Sequence, residues 1–78
     1  MPTSTTEIRD AFCSKNEERI EALQNTASEF AVSTKVVEDV LLVCALASIP
    51  WRTEYQNQNL QELTQELAVL GILHPPEN

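Results

Sequence analysis

Residues 27–41 carry small, apolar and capping side chains at the spacing of a helix-turn-helix, a pair of helices that cross over a short turn. Read in order, the stretch offers a small packing residue, an apolar anchor, a turn residue, an apolar plug, a helix cap and two core-facing positions: Ala27, Phe30, Ala31, Val32, Ser33, Val37 and Val40. A large side chain near Ala27 or Ala31 would hold the two helices apart. The spacing therefore predicts a helical hairpin in the middle of the chain.

The whole chain predicts an all-α fold, a compact bundle of about four helices in a single domain. It has one glycine, 5% aromatic residues and no alternating apolar runs, which leaves little room for strands. Capping residues begin the helices and turn or breaker residues end them, giving expected spans of about 5–13, 15–30, 34–49 and 59–70. The expected caps are Ser4, Ser14, Ser33 and Asn59, and the expected stops lie near Ala31, Pro50 and Gly71.

Three further expectations concern the first helices, the ends of the chain and the segment before the last helix. Residues 5–30 could form one helix or two, although the apolar face loses its phase at Lys15 and Asn16, which favours a break. Residues 1–4 and 75–78 are expected to be flexible ends. Residues 51–59 are expected to form a polar connector before the last helix.

Charge and composition favour protein partners over nucleic acid or membranes. The formal net charge is −7, and the basic residues are only Arg9, Lys15, Arg19, Lys35 and Arg52. Binding to nucleic acid depends mainly on cation–phosphate contacts, so we expect no significant binding of nucleic acid by this chain.

The longest apolar run, residues 40–47, is far shorter than the roughly 20 residues of a membrane span. The N-terminal sequence MPTSTTE lacks the features of a leader peptide, which predicts an intracellular, cytoplasmic protein with reduced cysteines.

The hairpin pattern keeps DNA binding as an alternative. Ser33, Thr34 and Lys35 would lie at the front of the second helix, where such regulators contact bases and phosphates. Glu38 and Asp39 would share that face and repel the phosphates. The alternative hypothesis is therefore a helix-turn-helix transcription regulator with a weak DNA-binding face.

Two apolar features predict a homodimer. Residues 36–49 are apolar on every face of their helix, more than so small a chain is expected to cover. In the last helix a leucine stripe fits the spacing of a seam between two subunits, and we expect the dimer interface there: Leu60, Leu63, Leu67 and Leu70. The other interpretation of the stripe is the core face of a bundle helix.

Trp51, Arg52 and Tyr55 are the predicted contact with a protein partner. Large aromatic side chains and arginine are enriched at interface hot spots, and these three lie in a polar stretch with no reason to be buried. The alternative is that Trp51 closes the end of the core.

The sequence offers no catalytic, cofactor-binding or metal site. His74 is the single histidine, and with Cys13 and Cys44 it does not make a metal-ligand spacing. We therefore expect no enzymatic activity, no cofactor and no metal. The prediction is a small acidic regulator or adaptor that binds another protein through its helical faces.

Overall fold

A computed structural model describes residues 3–75, which form four α-helices and a two-stranded parallel sheet. The helices are α1 (Thr5–Cys13), α2 (Arg19–Phe30), α3 (Thr34–Ala47) and α4 (Glu54–Val69). Strands β1 (Thr3–Ser4) and β2 (Ile72–Leu73) pair with Thr3 opposite Ile72 and Ser4 opposite Leu73. The prediction of an all-α bundle of four helices is confirmed, and the short strand pair is an addition to it. Of the ends expected to be flexible, residues 1–2 and 76–78 lie outside the described residues.

Helix α3 lies at the centre of the bundle and contacts α1, α2 and α4. Val37, Val40 and Val43 are completely buried, and Leu46 is nearly so. The partly covered side chains of α3 also pack against this core. The three other helices therefore cover more of α3 than its sequence predicts, and among its large apolar side chains only Leu42 counts as exposed. No helix in the described part of the chain is long and apolar enough to cross a bilayer.

The turn between α2 and α3 has the hydrogen bonds of a Schellman motif. Ala31 follows the last residue of α2 and has φ 55°, in the left-handed region. The N–H of Val32 donates to the carbonyl of Ala27 (2.9 Å), and the N–H of Ala31 donates to the carbonyl of Ser28 (3.3 Å). Ser33 then caps α3, its Oγ accepting from the N–H of Val36 (3.2 Å). Ala31 is the turn residue and Ser33 the cap, as the spacing predicts.

Residues 5–30 form two helices and not one, because the helical structure is interrupted between α1 and α2. Ser4 begins α1 as predicted, because its Oγ accepts from the N–H of Glu7 (3.1 Å). Ser14 does not begin α2, and that prediction is wrong. Its N–H donates to the carbonyl of Asp10 (3.0 Å), so Ser14 ends α1 instead, and α2 starts after Glu18.

Helix α4 begins five residues earlier than predicted, so the prediction of a start at Asn59 is wrong. Thr53 is the cap: its Oγ1 accepts from the N–H of Gln56 (3.1 Å), while the N–H of Thr53 donates to Oε1 of Gln56 (2.9 Å). This is a complete capping box, and its sequence signal, Thr53-x-x-Gln56, is present in the chain. Tyr55 consequently lies in the first turn of α4 and not in a connector.

After α4 the chain turns back along the bundle to reach α1. Gly71 follows the C-terminal end of the helix with φ +82°, a conformation that suits glycine. Ile72 is buried and packs into the core. Nδ1 of His74 lies 3.1 Å from Oγ1 of the fully buried Thr5, so the described ends of the chain meet.

Replacing Ala31 by glycine should stabilise the protein. A residue with a side chain costs about 1–2 kcal/mol in the left-handed region, and glycine removes this cost. Part of the resulting gain in stability is offset by the greater conformational freedom of glycine in the unfolded chain. We expect Ala31→Gly to raise the free energy of unfolding by about 0.5–1 kcal/mol in a urea titration with unchanged slope. The matched control is Gly71→Ala, which should lower it by about 1 kcal/mol. A loss of stability in Ala31→Gly would contradict the strained turn.

Candidate functional site

Two large aromatic side chains stand out into solvent where α3 passes into α4. Trp51 is 89% exposed and Tyr55 is 73% exposed. Trp51 therefore does not close the end of the core, and the alternative interpretation of that residue is wrong. Exposed aromatic groups of this size offer large apolar area together with a polar tip, which is typical of protein-binding surfaces.

Arg52, between these aromatics in sequence, has a structural role that its sequence position does not reveal. One guanidinium nitrogen, Nη1, donates to the carbonyls of Leu46 (3.2 Å), Ala47 (3.3 Å) and Ile49 (3.3 Å) at the end of α3. Its Nε donates to Oδ1 of Asn57 in α4 (2.7 Å). Arg52 thus adds a donor to carbonyls at and just after the C-terminal end of α3 and links them to the next helix. The segment that presents Trp51 is held at both ends.

An open groove of about 630 Å³ runs along α4, and we call it the α4 groove. On one side it is lined by polar side chains that recur along the helix, Asn57, Gln61, Thr64 and Gln65. The other lining residues are Leu60 and Ala68 on α4, Leu73, His74 and Pro75 in the chain that follows it, and Arg52 before it. A volume of this size lies within the range of ligand-binding clefts.

The α4 groove differs in charge from the rest of this acidic chain. Among the described residues that line it, none is aspartate or glutamate, although the chain has 12 of them. Within the same described set, Arg52 is the one formally charged side chain. The sequence does not predict this groove, because residues on four turns of α4 and on the segment after it have to be brought together by the fold.

The leucine stripe divides between the core and the surface. Leu60 and Leu67 are buried in the core of the single chain, and Leu63 packs partly against that core. Leu70 is the exposed member, at 59%. Leu60 and Leu67 are therefore not free to form the predicted seam with a second subunit. The neighbouring exposed apolar side chains are Val69 and Leu73.

The face considered for DNA binding is exposed but electrostatically unfavourable. Ser33 uses its hydroxyl as the cap of α3, and Thr34 and Lys35 are exposed. Nζ of Lys35 forms an ion pair with Oδ2 of Asp39 (3.1 Å), and this hydrogen bond raises the pKa of Lys35. Glu38 is exposed on the same helix.

Each of the five basic side chains has a partner within the chain. Arg9 pairs with Asp10 at 3.0 Å and Lys15 with Glu29 at 2.9 Å. The guanidinium carbon of Arg19 lies 5.8 Å from the centre of the Phe12 ring. With Lys35 and Arg52 engaged as described above, phosphate groups would have to compete for every cation.

The groups considered for chemistry lie apart from one another or are engaged. Among residues 3–75, no three His, Cys, Asp or Glu side chains gather as a metal ion would need. Cys13 and Cys44 are free thiols; Cys13 is exposed, and burial raises the pKa of the Cys44 thiol. Nε2 of His74 is buried and has no hydrogen-bond partner among the described residues.

Comparison with family models, curated proteins and solved structures finds no match to this chain. The candidate surfaces are consequently defined by their own geometry: the exposed pair Trp51 and Tyr55, and the α4 groove beside them, with Arg52 between the two.

Removing the guanidinium of Arg52 should destabilise the protein even though the side chain is partly exposed. Arg52→Met keeps an apolar stem but removes a donor from the carbonyls of Leu46, Ala47 and Ile49 and from Oδ1 of Asn57. We expect the free energy of unfolding to fall by about 1–2 kcal/mol in a urea titration. Arg9→Met is the matched control, since its exposed ion pair should contribute no more than about 0.5 kcal/mol. Equal effects of the two substitutions would contradict the structural role of Arg52.

Proposed function

We propose that this protein is a small acidic intracellular regulator or adaptor that binds another protein and has no catalytic activity. Its contact surface is centred on Trp51 and Tyr55, with Arg52 holding the segment between them in place. The observation that carries the proposal is the 89% exposure of Trp51 on a segment whose backbone is fixed to two helices. Because the backbone of this segment is already fixed, binding through Trp51 orders little more than the tryptophan side chain itself, which makes it an efficient interface anchor.

The acidic surface supports a partner with a basic patch. A net charge of −7 on 78 residues produces a negative field that accelerates encounter with positively charged surfaces and disfavours acidic ones. This contribution acts mainly on the association rate and weakens with salt. The aromatic pair would supply affinity, and the charge would supply selectivity.

Replacing Trp51 by alanine should weaken partner binding and leave the fold intact. Once a partner has been identified by crosslinking in the native cell, we expect Trp51→Ala to cost about 1–3 kcal/mol of binding free energy in calorimetry. The melting temperature should remain within about 1–2 °C of the original value, because the side chain is almost fully exposed. The matched control is Ile20→Ala on α2, an apolar side chain that is 69% exposed and should not affect binding. Unfolding of Trp51→Ala, or equal losses in both variants, would disprove the assignment.

Self-association is a second part of the proposal, at a different place from the one that the sequence favours. The exposed apolar side chains at the end of α4, Val69 at 87% and Leu70 at 59%, support a contact between two copies. Residues 36–49 support it less, because α3 is covered by the other helices.

Sedimentation velocity at micromolar concentration tests this proposal. We expect a concentration-dependent dimer that is weakened by Val69→Asn and retained in the control Leu42→Asn, whose side chain on α3 is 46% exposed. Each change places one polar group on an exposed apolar site, and the two sites lie on different helices. A monomer at every concentration would exclude self-association, and a loss restricted to Leu42→Asn would move the contact to α3.

The alternative function is DNA binding through Ser33, Thr34 and Lys35. What favours it is the tight turn at Ala31 followed by the cap at Ser33. What opposes it is the pairing of Lys35 with Asp39 and of the other cations with partners in the chain. Phosphate contacts are strongest at low ionic strength, so a filter-binding assay with duplex DNA at low salt discriminates the two functions. Tight, salt-sensitive binding would replace our proposal with this one.

A further inference from the structure

Ser14 is followed by two glutamates in the connection between α1 and α2. Glu17 lies three positions after it and Glu18 four, and this pattern resembles a capping box that the structure does not form. A serine followed by carboxylates at these distances is also the charge pattern that acid-directed protein kinases select, because cations beside the kinase active site bind the carboxylates. The sequence that fails as a helix cap is therefore a candidate site of phosphorylation.

The structure distinguishes Ser14 from the other hydroxyl groups in this pattern. Ser4 and Thr26 also have a glutamate three residues later. The Oγ of Ser4 caps α1 and the backbone of Ser4 pairs within the sheet, while Thr26 is completely buried in α2. Ser14 is exposed, and of the three it alone has a second carboxylate at the fourth position. A kinase can therefore reach Ser14 without unfolding the domain.

The chain around Ser14 needs only a local opening to enter a kinase active site. Residues 15–18 lie outside the helices, and Ser14 is the cap at the end of α1. Its N–H donates to the carbonyl of Asp10 (3.0 Å), and its Oγ donates to the carbonyl of Ala11 (3.0 Å). Terminal turns of helices open at a low cost in free energy. One hydroxyl and the carboxylates after it can therefore be presented together in an extended segment.

Lys15 lies beside the hydroxyl of Ser14 and connects two helices. Its Nζ donates to the carbonyl of Ala11 (3.1 Å), the same oxygen that accepts from Oγ of Ser14. The same Nζ forms an ion pair with Oε1 of Glu29 near the end of α2 (2.9 Å), and the lysine side chain is only 16% exposed. Lys15 therefore joins the end of α1 to the end of α2.

A phosphate on Ser14 would change the interactions at this junction. A phosphoserine carries a charge of about −1.5 to −2 at neutral pH and is disfavoured at the C-terminal end of a helix, where the carbonyls concentrate negative partial charge. The esterified Oγ also has no proton to donate to Ala11. Because the phosphate carries more charge than a carboxylate, it competes with Glu29 for Nζ of Lys15.

We propose that Ser14 is phosphorylated by an acid-directed serine/threonine kinase, and that the phosphate takes Lys15 from Glu29 and loosens the junction between α1 and α2. In this reaction Oγ of Ser14 forms a bond to the terminal phosphorus of ATP, the bond from that phosphorus to ADP breaks, and the hydroxyl proton passes to a base of the kinase. The inference goes beyond the proposed function, because Trp51 lies in a different connection of the fold.

Incubation of the full chain with ATP and a purified kinase that selects a carboxylate three residues after the acceptor tests the site. We expect a single phosphoryl group per chain, located at Ser14 by peptide mapping in a mass spectrometer. Ser14→Ala should abolish its incorporation. The matched control is Ser28→Ala, an exposed serine of α2 without the acidic pattern, which should leave incorporation unchanged. Phosphate on Ser4 or Thr26, or on no residue, would overturn the proposal.

Charge-neutral variants test whether the glutamates direct the kinase. Glu17→Gln removes the charge but keeps an oxygen that can accept from Nδ2 of Asn25, as Oε2 of Glu17 does at 2.6 Å. We expect the initial rate of phosphorylation to fall by about tenfold or more. The control Glu21→Gln removes an exposed charge outside the pattern and should leave the rate within about twofold. Equal rates in the two variants would overturn the assignment to this pattern.

Nuclear magnetic resonance of the phosphorylated chain tests the release of Lys15. We expect the carboxyl carbon signal of Glu29 to shift, and the amide protons of Ser14 and Lys15 to exchange faster than in the unmodified chain. In Lys15→Met the Glu29 signal should be displaced already and should not respond to phosphorylation. Circular dichroism verifies that each form remains folded. A Glu29 signal that phosphorylation leaves in place, or that moves equally in Lys15→Met, would overturn the release.

Peptide mapping of the chain purified from its native cell, with phosphatases inhibited, tests whether the modification is used. We expect phosphoserine at position 14 in a fraction of the molecules. Its absence from all of them would overturn the proposal, whatever a purified kinase does. Trp51→Ala should be phosphorylated at the same rate as the original chain, so a failure of the proposed binding surface would leave this result unchanged.

Discussion

The burial of one face of α3 is the contact on which the rest of the structure depends. Val37, Val40 and Val43 are fully buried, and every other helix packs against α3. In a chain of 78 residues there is no second core to compensate for a fault in the first. Because α3 is committed to the interior, the candidate binding surfaces lie at its C-terminal end and on the outer side of α4. The same burial leaves α3 little apolar surface for a second subunit.

The sequence predicts those parts of the fold that local chemistry determines. The caps at Ser4 and Ser33 and the turn at Ala31 were correctly predicted, because each depends on side chains within a few residues of one another. The signal for the cap at Thr53 is equally local, but the polar residues after it favour a connector. Pairing of β1 with β2 could not be predicted, since two-residue strands far apart in sequence leave no periodic pattern.

The candidate site shows the same division. The prominence of Trp51 and Tyr55 follows from residue type and polar neighbours, and the structure exposes both. The position of Arg52 against the carbonyls of Leu46, Ala47 and Ile49 depends on how the chain leaves α3, which composition does not encode. The division of the leucine stripe between core and surface depends on which way α4 is turned, and the stripe itself is compatible with both orientations.

Pairing of β1 with β2 and the contact between Thr5 and His74 enclose all four helices in a single loop. Two residues per strand are too few to remain paired without the helices between them. Closing so long a loop becomes favourable only when the packed helices hold its ends together, since the entropic cost of closure must otherwise be met by very few contacts. The amide protons of the strand pair are then exchanged with solvent whenever any helix leaves the bundle. Hydrogen exchange at this one place would report on the cooperativity of the whole domain.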